Sequence, residues 1–157
     1  MADAVRDVEG VTFHDLYETY PDMLIDVRFE QEQLLAHEAV VFQHPFYWYS
    51  APSLIKEWLD LVLTHGWAYG DKGHAVDGKL WMQAITSGGG DDSYGPSGHN
   101  RFTIGELLRP FEATAHLCRM RWREPFVMRS SHMRTPELMA ECARTYRARV
   151  LGLMREE

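Results

Sequence analysis

Two short apolar runs, "AVVFQ" at 39–43 and "GKLWMQAIT" at 78–86, do most to limit what this chain can fold into. A brief, nearly uninterrupted apolar run reads as a strand covered on both faces, because a half-exposed strand would alternate with polar residues. Each run is followed by a loop and then by a stretch of helical periodicity. After the first comes "APSLIKEWLDLVLTHG", where Leu54, Trp58, Leu61 and Val62 fall on one face. Ser50 is its expected cap, Pro52 suits its first turn and Gly66 marks its stop.

The remaining segments continue the pattern. "GVTFHDLY" (10–17) alternates apolar and polar residues behind a glycine, which predicts a half-buried strand. "FEQEQLLAHE" (29–38) predicts a short amphipathic helix with Asp26 as N-cap. "FTIGELLRPFEATAHLCRM" (102–120) is helical in period but should break at Pro110. "WREPFVM" (122–128) is a further strand, and Thr135 with Pro136 opens a last helix running to about Met154. The predicted order is β-α-β-α-β-α-β-α, which implies an α/β fold with a parallel sheet and helices on both faces. Ligands in such sheets bind beyond the carboxyl ends of the strands. Loops 44–51 and 87–100 both follow strands directly, so they share that edge.

Length and composition narrow the classes. A chain of 157 residues is most simply one domain, 1–157. Its formal charge of −7 gives no basic footprint for nucleic acid. Cys118 and Cys142 lack CxxC spacing and read as small buried residues in a reducing, cytoplasmic compartment. No run approaches the ~18 apolar residues of a membrane span, and "MADAVRDVEG" lacks the apolar block of a signal peptide. Any membrane association is expected to be peripheral.

The chemistry should therefore sit in the two loops. "HPFYWYS" (44–50) sets four aromatics in a loop, and "TSGGG" (86–90) sets glycines opposite. Aromatic faces with approachable backbone N–H groups suit a planar heterocycle. The glycine loop lacks the GK[ST] ending of a nucleotide-triphosphate site. The eight histidines (14, 37, 44, 65, 74, 99, 116 and 132) show no metal-ligand spacing, and no GxSxG elbow supports a serine hydrolase. Tyr94 and His99 could donate hydrogen bonds to a reduced ring or a substrate carbonyl. From the residues alone, a surface tyrosine and histidine on a loop explain that pair at least as well.

Taken together, "VTFHDLYETYPD", "VVFQHPFYWYSAPSLIKEWLDLVLTHGWAYG", "ITSGGG" and "LLRPFEATAHLCRMRW" resemble the flavodoxin-like NAD(P)H:quinone oxidoreductases. The similarity is strongest to the small bacterial branch that includes ancillary proteins of glutathione-gated potassium efflux systems, and it runs from residue 4 to about residue 150. The resemblance implies a flavodoxin-like three-layer sandwich and a homodimer binding FMN, or FAD, at the strand edge. It places Pro45, Phe46, Tyr47 and Trp48 against the flavin ring, with Ser87, Gly88, Gly89 and Gly90 on the second flavin loop. Tyr94 falls on an aromatic position of the family and His99 on its active-site histidine. The implied reaction is ping-pong: NAD(P)H reduces the flavin and leaves, and a quinone then takes the hydride. A second implied role is docking on a membrane potassium-efflux transporter, with catalysis weak or absent.

The chain departs from that family at its start. Members begin with a strand, an HPxxxSxxN phosphate loop and a helix, whereas "MADAVRDVEG" matches only the tail of that helix. The absent strand would lie between segments 11–16 and 39–43. Three readings follow: a native chain that starts upstream, direct pairing of the first two strands, or a docking remnant. The first is preferred, because a core strand is hard to dispense with. Without the phosphate loop, flavin affinity should be reduced.

Overall fold

The computed structural model describes residues 1–131 and 135–156. Its sheet has three parallel strands in the order β1 (Ala39–Pro45), β2 (Leu80–Thr86) and β3 (Arg121–Met128). The helices are α1 (Leu16–Thr19), α2 (Val27–Ala36), α3 (Ser53–Val62), α4 (Ile104–Leu107), α5 (Arg109–Leu117) and α6 (Pro136–Leu153). They lie on both faces and complete a three-layer α/β sandwich.

β2 is the centre, and its side chains divide between the two faces as strand geometry requires. Leu80, Met82 and Ala84 meet Phe126, Tyr146, Val150 and Leu153 on the α6 side. Trp81 and Ile85 meet Phe42, Trp58, Val62, Leu108 and Phe111 on the other. All of β2 except Thr86 is buried, which accounts for its nearly continuous apolar sequence. Each large apolar side chain so covered contributes about 1.5–3 kcal/mol.

Local signals set most of the ends. Asp26 accepts from Phe29 N–H to cap α2, and Thr135 accepts from Leu138 N–H to cap α6. Thr103 and Glu106 form a reciprocal capping box on α4. The break expected at Pro110 falls at Leu108, which ends α4 and opens α5. Ser50 does not cap α3: it closes the tight turn Tyr47–Tyr49, and α3 starts after Pro52 with no side-chain cap. In β3, Glu124 and Pro125 together stand opposite Gln83, because the pairing shifts between Met82 and Ala84. Pro125 has no N–H to give the ladder, and the bulge absorbs it.

The strand predicted at 10–17 does not form. Residues 11–15 carry no ladder pairing, and Asp15, itself extended, caps α1 by accepting from Tyr17 and Glu18 N–H. A strand is defined by its neighbour, and among the described residues none pairs with this segment. Val11 and Phe13 instead pack on the α6-side core, with the Arg6 guanidinium 3.9 Å from the Phe13 ring centre. Direct pairing of this segment with β1 is thereby ruled out for this chain: a cavity of about 880 Å³ lies along β1 and is lined on its far side by residues 10–17. β1 is consequently less covered than its sequence predicts, with only Phe42 and His44 fully buried.

One buried polar cluster ties the N-terminal segments to α3. Glu30, only 2% exposed, accepts from Tyr20 Oη at 2.6 Å and from Trp58 Nε1 at 2.7 Å. His14 Nε2 lies 2.7 Å from the same carboxylate. Burial and the Glu30 contact together push the Tyr20 hydroxyl well above its ordinary range.

Candidate functional site

The sheet places the two loops side by side, since Pro45 and Thr86 are paired at the carboxyl ends of β1 and β2. Phe46 N–H donates to Thr86 C=O at 2.8 Å, and the tight turn Tyr47–Tyr49 follows. Trp48 and Tyr49 have φ of 51° and 61°, left-handed values that non-glycine residues seldom adopt. The strain has a visible holder: Tyr49 Oη donates to Asn100 Oδ1 at 3.1 Å, joining the aromatic loop to the end of the glycine loop.

The glycine loop is anchored from beneath. Ser87 is buried, its N–H donating to Met128 C=O at 2.9 Å and its hydroxyl to Gly89 C=O at 3.1 Å. Ser130 and Ser131 N–H return bonds to Gly89 and Ser87 C=O. Gly98 N–H reaches Gly95 C=O and Asn100 N–H reaches Ser93 C=O, so residues 93–100 fold back on themselves.

Between the loops lies a cavity of about 340 Å³ lined by Phe46, Trp48, Tyr49, Gly89, Ser93, Tyr94, His99 and Asn100. Phe46 and Tyr94 form one wall, ring centres 6.2 Å apart. Gly89 keeps that wall open: a Cβ there would stand 3.0 Å from both Ser93 Cβ and Tyr94 Cε2. The described lining residues include no Asp, Glu, Lys or Arg. A flat aromatic slot with hydroxyl, imidazole and amide groups at its rim fits an uncharged planar heterocycle such as a flavin ring. Among the described residues no group of three or more His, Cys, Asp or Glu could hold a metal, and His132 lies outside them.

Of the residues chosen from sequence, Phe46, Trp48, Gly89, Tyr94 and His99 converge on this slot. Pro45, Tyr47, Ser87, Gly88 and Gly90 do not line it: Pro45 ends β1, Tyr47 faces solvent, and Ser87 holds the loop from below. Tyr49, Ser93 and Asn100 were missed. Tyr49 stood in the same aromatic run. Asn100 had no signal, because its contact spans 51 residues and exists only once the sheet has aligned the loops.

His44 sits at the root of the aromatic loop with Nε2 2.6 Å from Gln83 Oε1 and Nδ1 3.0 Å from Pro45 C=O. Burial pulls its pKa below the ordinary 6.5 despite these two acceptors. Between that lowered value and 6.5 the unfolded chain binds the more protons, so folding stability falls as pH drops below 6.5. Melting curves from pH 7.5 to 5.5 should show a falling midpoint, with a shallower slope in His44→Asn; equal slopes would remove His44 as a source.

Comparison with known proteins agrees with this architecture. Residues 1–150 match the family model described as flavodoxin-like fold. The glutathione-regulated potassium-efflux system ancillary protein KefG of Pectobacterium carotovorum is 48% identical over 141 residues, covering 90% of this chain and 77% of that protein. Three solved structures are also similar. One, described as a thermophilic tryptophan halogenase from Streptomycin violaceusniger, is 44% identical with a TM-score of 0.93, over 96% of this chain and 87% of that one. General stress protein 14 of Treponema denticola, in complex with FMN, is 40% identical with a TM-score of 0.90, over 97% and 87%. An NADPH-quinone reductase from P. pentosaceus is 30% identical with a TM-score of 0.85, over 92% and 83%. With three parallel strands between helical layers and the family match running through nearly its whole length, this chain belongs to the flavodoxin-like fold family.

Proposed function

We propose that the chain is a flavin-dependent NAD(P)H:quinone oxidoreductase, and that the slot between the loops receives the ring of FMN, with FAD as the alternative. The observation that carries this reading is the aromatic slot at the carboxyl ends of β1 and β2, whose described lining residues are uncharged and which Gly89 keeps open. The FMN complex and the quinone reductase among similar structures support it. Nothing in the slot favours halogenation over reduction.

Bound flavin supplies two-electron exchange between a nicotinamide donor and a quinone-type acceptor. The chain's part is to hold, orient and shield. Phe46 and Tyr94 give the ring an apolar wall, Trp48 flanks the opening, and Gly89 lets backbone approach the polar rim. Ser87 and the neighbouring Gly88 and Gly90 support that loop, while Pro45 and Tyr47 bracket the aromatic turn. The Tyr94 hydroxyl and His99 imidazole can donate to a carbonyl oxygen of a substrate at the rim.

The test is flavin stoichiometry by visible absorbance after incubation with FMN, then NAD(P)H oxidation with a quinone. Near one flavin per chain with quinone-dependent turnover supports the reading; an FMN-loaded chain that cannot oxidise NAD(P)H refutes it. In the loaded protein, Tyr94→Phe combined with His99→Ala should retain flavin and lose about ten- to hundredfold in turnover. Wild-type rates would remove both from catalysis.

A second reading rests on a different observation. Trp48 is 91% exposed and Tyr47 is 58% exposed, so the loop carries an aromatic surface beyond its slot. In a homodimer, or docked on a cytoplasmic face of a potassium-efflux transporter, that surface would be covered. The KefG relative supports the docking role, in which catalysis is secondary. No described helix is long and apolar enough to cross a membrane. Transporter stimulation surviving loss of flavin would favour this reading over the first.

A further inference from the structure

The polar residues around the slot differ in how firmly they are held, and Asn100 is held at every polar group but one. Its backbone N–H donates to Ser93 C=O at 2.8 Å, and its C=O accepts from Phe102 N–H at 2.8 Å. Its side-chain Oδ1 accepts from Tyr49 Oη at 3.1 Å. The amide nitrogen Nδ2 is left over: among the described residues it has no hydrogen-bond partner. Asn100 is half-buried in the slot lining, so that nitrogen is open to whatever enters. The side chains of Ser93, Tyr94 and His99 line the same slot and make no hydrogen bond to any described residue. A ligand must order those side chains as it binds, at a cost in rotamer freedom, whereas the Asn100 amide is already set.

We propose that Asn100 recognises a ring carbonyl of the planar molecule in the slot, donating through Nδ2 while Tyr49 holds Oδ1. The chemistry follows from the planar amide. With the Tyr49 hydroxyl donating to its oxygen end, the end that remains is a pair of N–H donors, and these call for an acceptor oxygen. Aromatic walls take a flat ring, and an uncharged acceptor in the plane of such a ring is a carbonyl. No Lys or Arg stands among the described lining residues to balance a carboxylate in its place. The inference deepens the flavin reading and shares its slot, since a flavin ring and a quinone both carry ring carbonyls. Tyr49 is a positioning residue here: it touches no ligand atom through its hydroxyl but fixes which end of the amide faces the slot. The expected consequence is selection for carbonyl-bearing rings over bare aromatic rings of the same size, because a site built to donate penalises a ring that accepts nothing.

The test follows the side-chain amide resonances of Asn100 by NMR in the full chain, titrated separately with FMN, with duroquinone and with durene, the same methylated ring without carbonyls. The Asn100 amide protons should move downfield with FMN, with duroquinone or with both, and stay in place with durene. The ligand that moves them identifies the carbonyl as the resident ring's or the acceptor's. Two substitutions separate recognition from support. Asn100→Asp keeps an acceptor for Tyr49 but has no donor, whereas Tyr49→Phe keeps the donor and loses its holder. Binding of the responding ligand should weaken about ten- to a hundredfold in Asn100→Asp and about three- to tenfold in Tyr49→Phe, with durene binding unchanged in both. Wild-type affinity in Asn100→Asp would reduce the residue to a strut and overturn the proposal. An Asn100 amide that moves equally with durene and duroquinone would overturn it too. FMN uptake with no Asn100 response to either carbonyl ligand overturns this inference and leaves the flavin reading standing. A duroquinone response in a chain that takes up no FMN does the reverse.

Discussion

Glu30→Leu is expected to lower the melting temperature by about 10 °C. The carboxylate is 2% exposed and accepts from Tyr20 Oη and Trp58 Nε1, with His14 Nε2 at its other side. Leucine is close in bulk but accepts nothing. Each donor left buried and unpaired costs about 1–3 kcal/mol, and two or three of them give about 3–5 kcal/mol. That is a large share of a total stability of about 5–15 kcal/mol. Trp58 stands in the core beneath Phe42, ring centres 5.1 Å apart, so its displacement would be felt in β1. Glu30→Gln keeps one acceptor oxygen and should lie between the two. Thermal denaturation read by near-ultraviolet circular dichroism checks the series; a leucine variant melting within about 2 °C of the parent would mean the three donors find water or other partners.

Gly89→Val should weaken flavin binding by about ten- to a hundredfold while leaving the melting temperature nearly unchanged. Even the Cβ of a substituent would stand 3.0 Å from Ser93 Cβ and Tyr94 Cε2, and valine adds two methyl groups beyond it. The neighbours that must move are two residues of the slot wall, so the cost falls on the site and not on the core. Overpacking of this kind costs about 1–3 kcal/mol, which sets the range. FMN titration followed by quenching of flavin fluorescence reads the affinity. Tyr94 ring resonances in the unliganded chain report the wall directly, so a shifted ring with unchanged affinity would detach Gly89 from binding. Gly98 is harder still to replace, because its Cβ would meet the backbone of Ser93 at 2.7 Å.

The sequence made the alternating architecture readable wherever the signal was local. Asp26, and Thr135 followed by Pro136, cap helices through N–H groups three residues on, and β2 announces its burial by composition. The segment 10–17 shows where that reasoning ends. Its alternation of Val11 and Phe13 with Thr12 and His14 is compatible with a strand, but pairing is decided by what lies beside it. Ser50 failed as a cap for a related reason: the left-handed residues Trp48 and Tyr49 turn the chain first, and no local preference predicts them. At the site, residue type located both loops, while the strut from Tyr49 to Asn100 needed the sheet to bring them within reach.

The bulge at Pro125 bears on how this protein avoids its own kind. Every open sheet offers two margins to which other chains can add, and one of them here is guarded. β3 carries Arg121, Arg123, Glu124 and a proline, a combination of charge, irregular register and a missing donor that makes edge-to-edge growth unfavourable. β1 carries Ala39, Val40, Val41 and Phe42 with no charge, proline or bulge among them. Charge, proline and bulge thus lie on β3, while the Ala39–Phe42 stretch of β1 has none of them. Handled at high concentration with that margin uncovered, the chain should form insoluble assemblies that begin at β1, and a charge introduced there should delay them more than one added to β3.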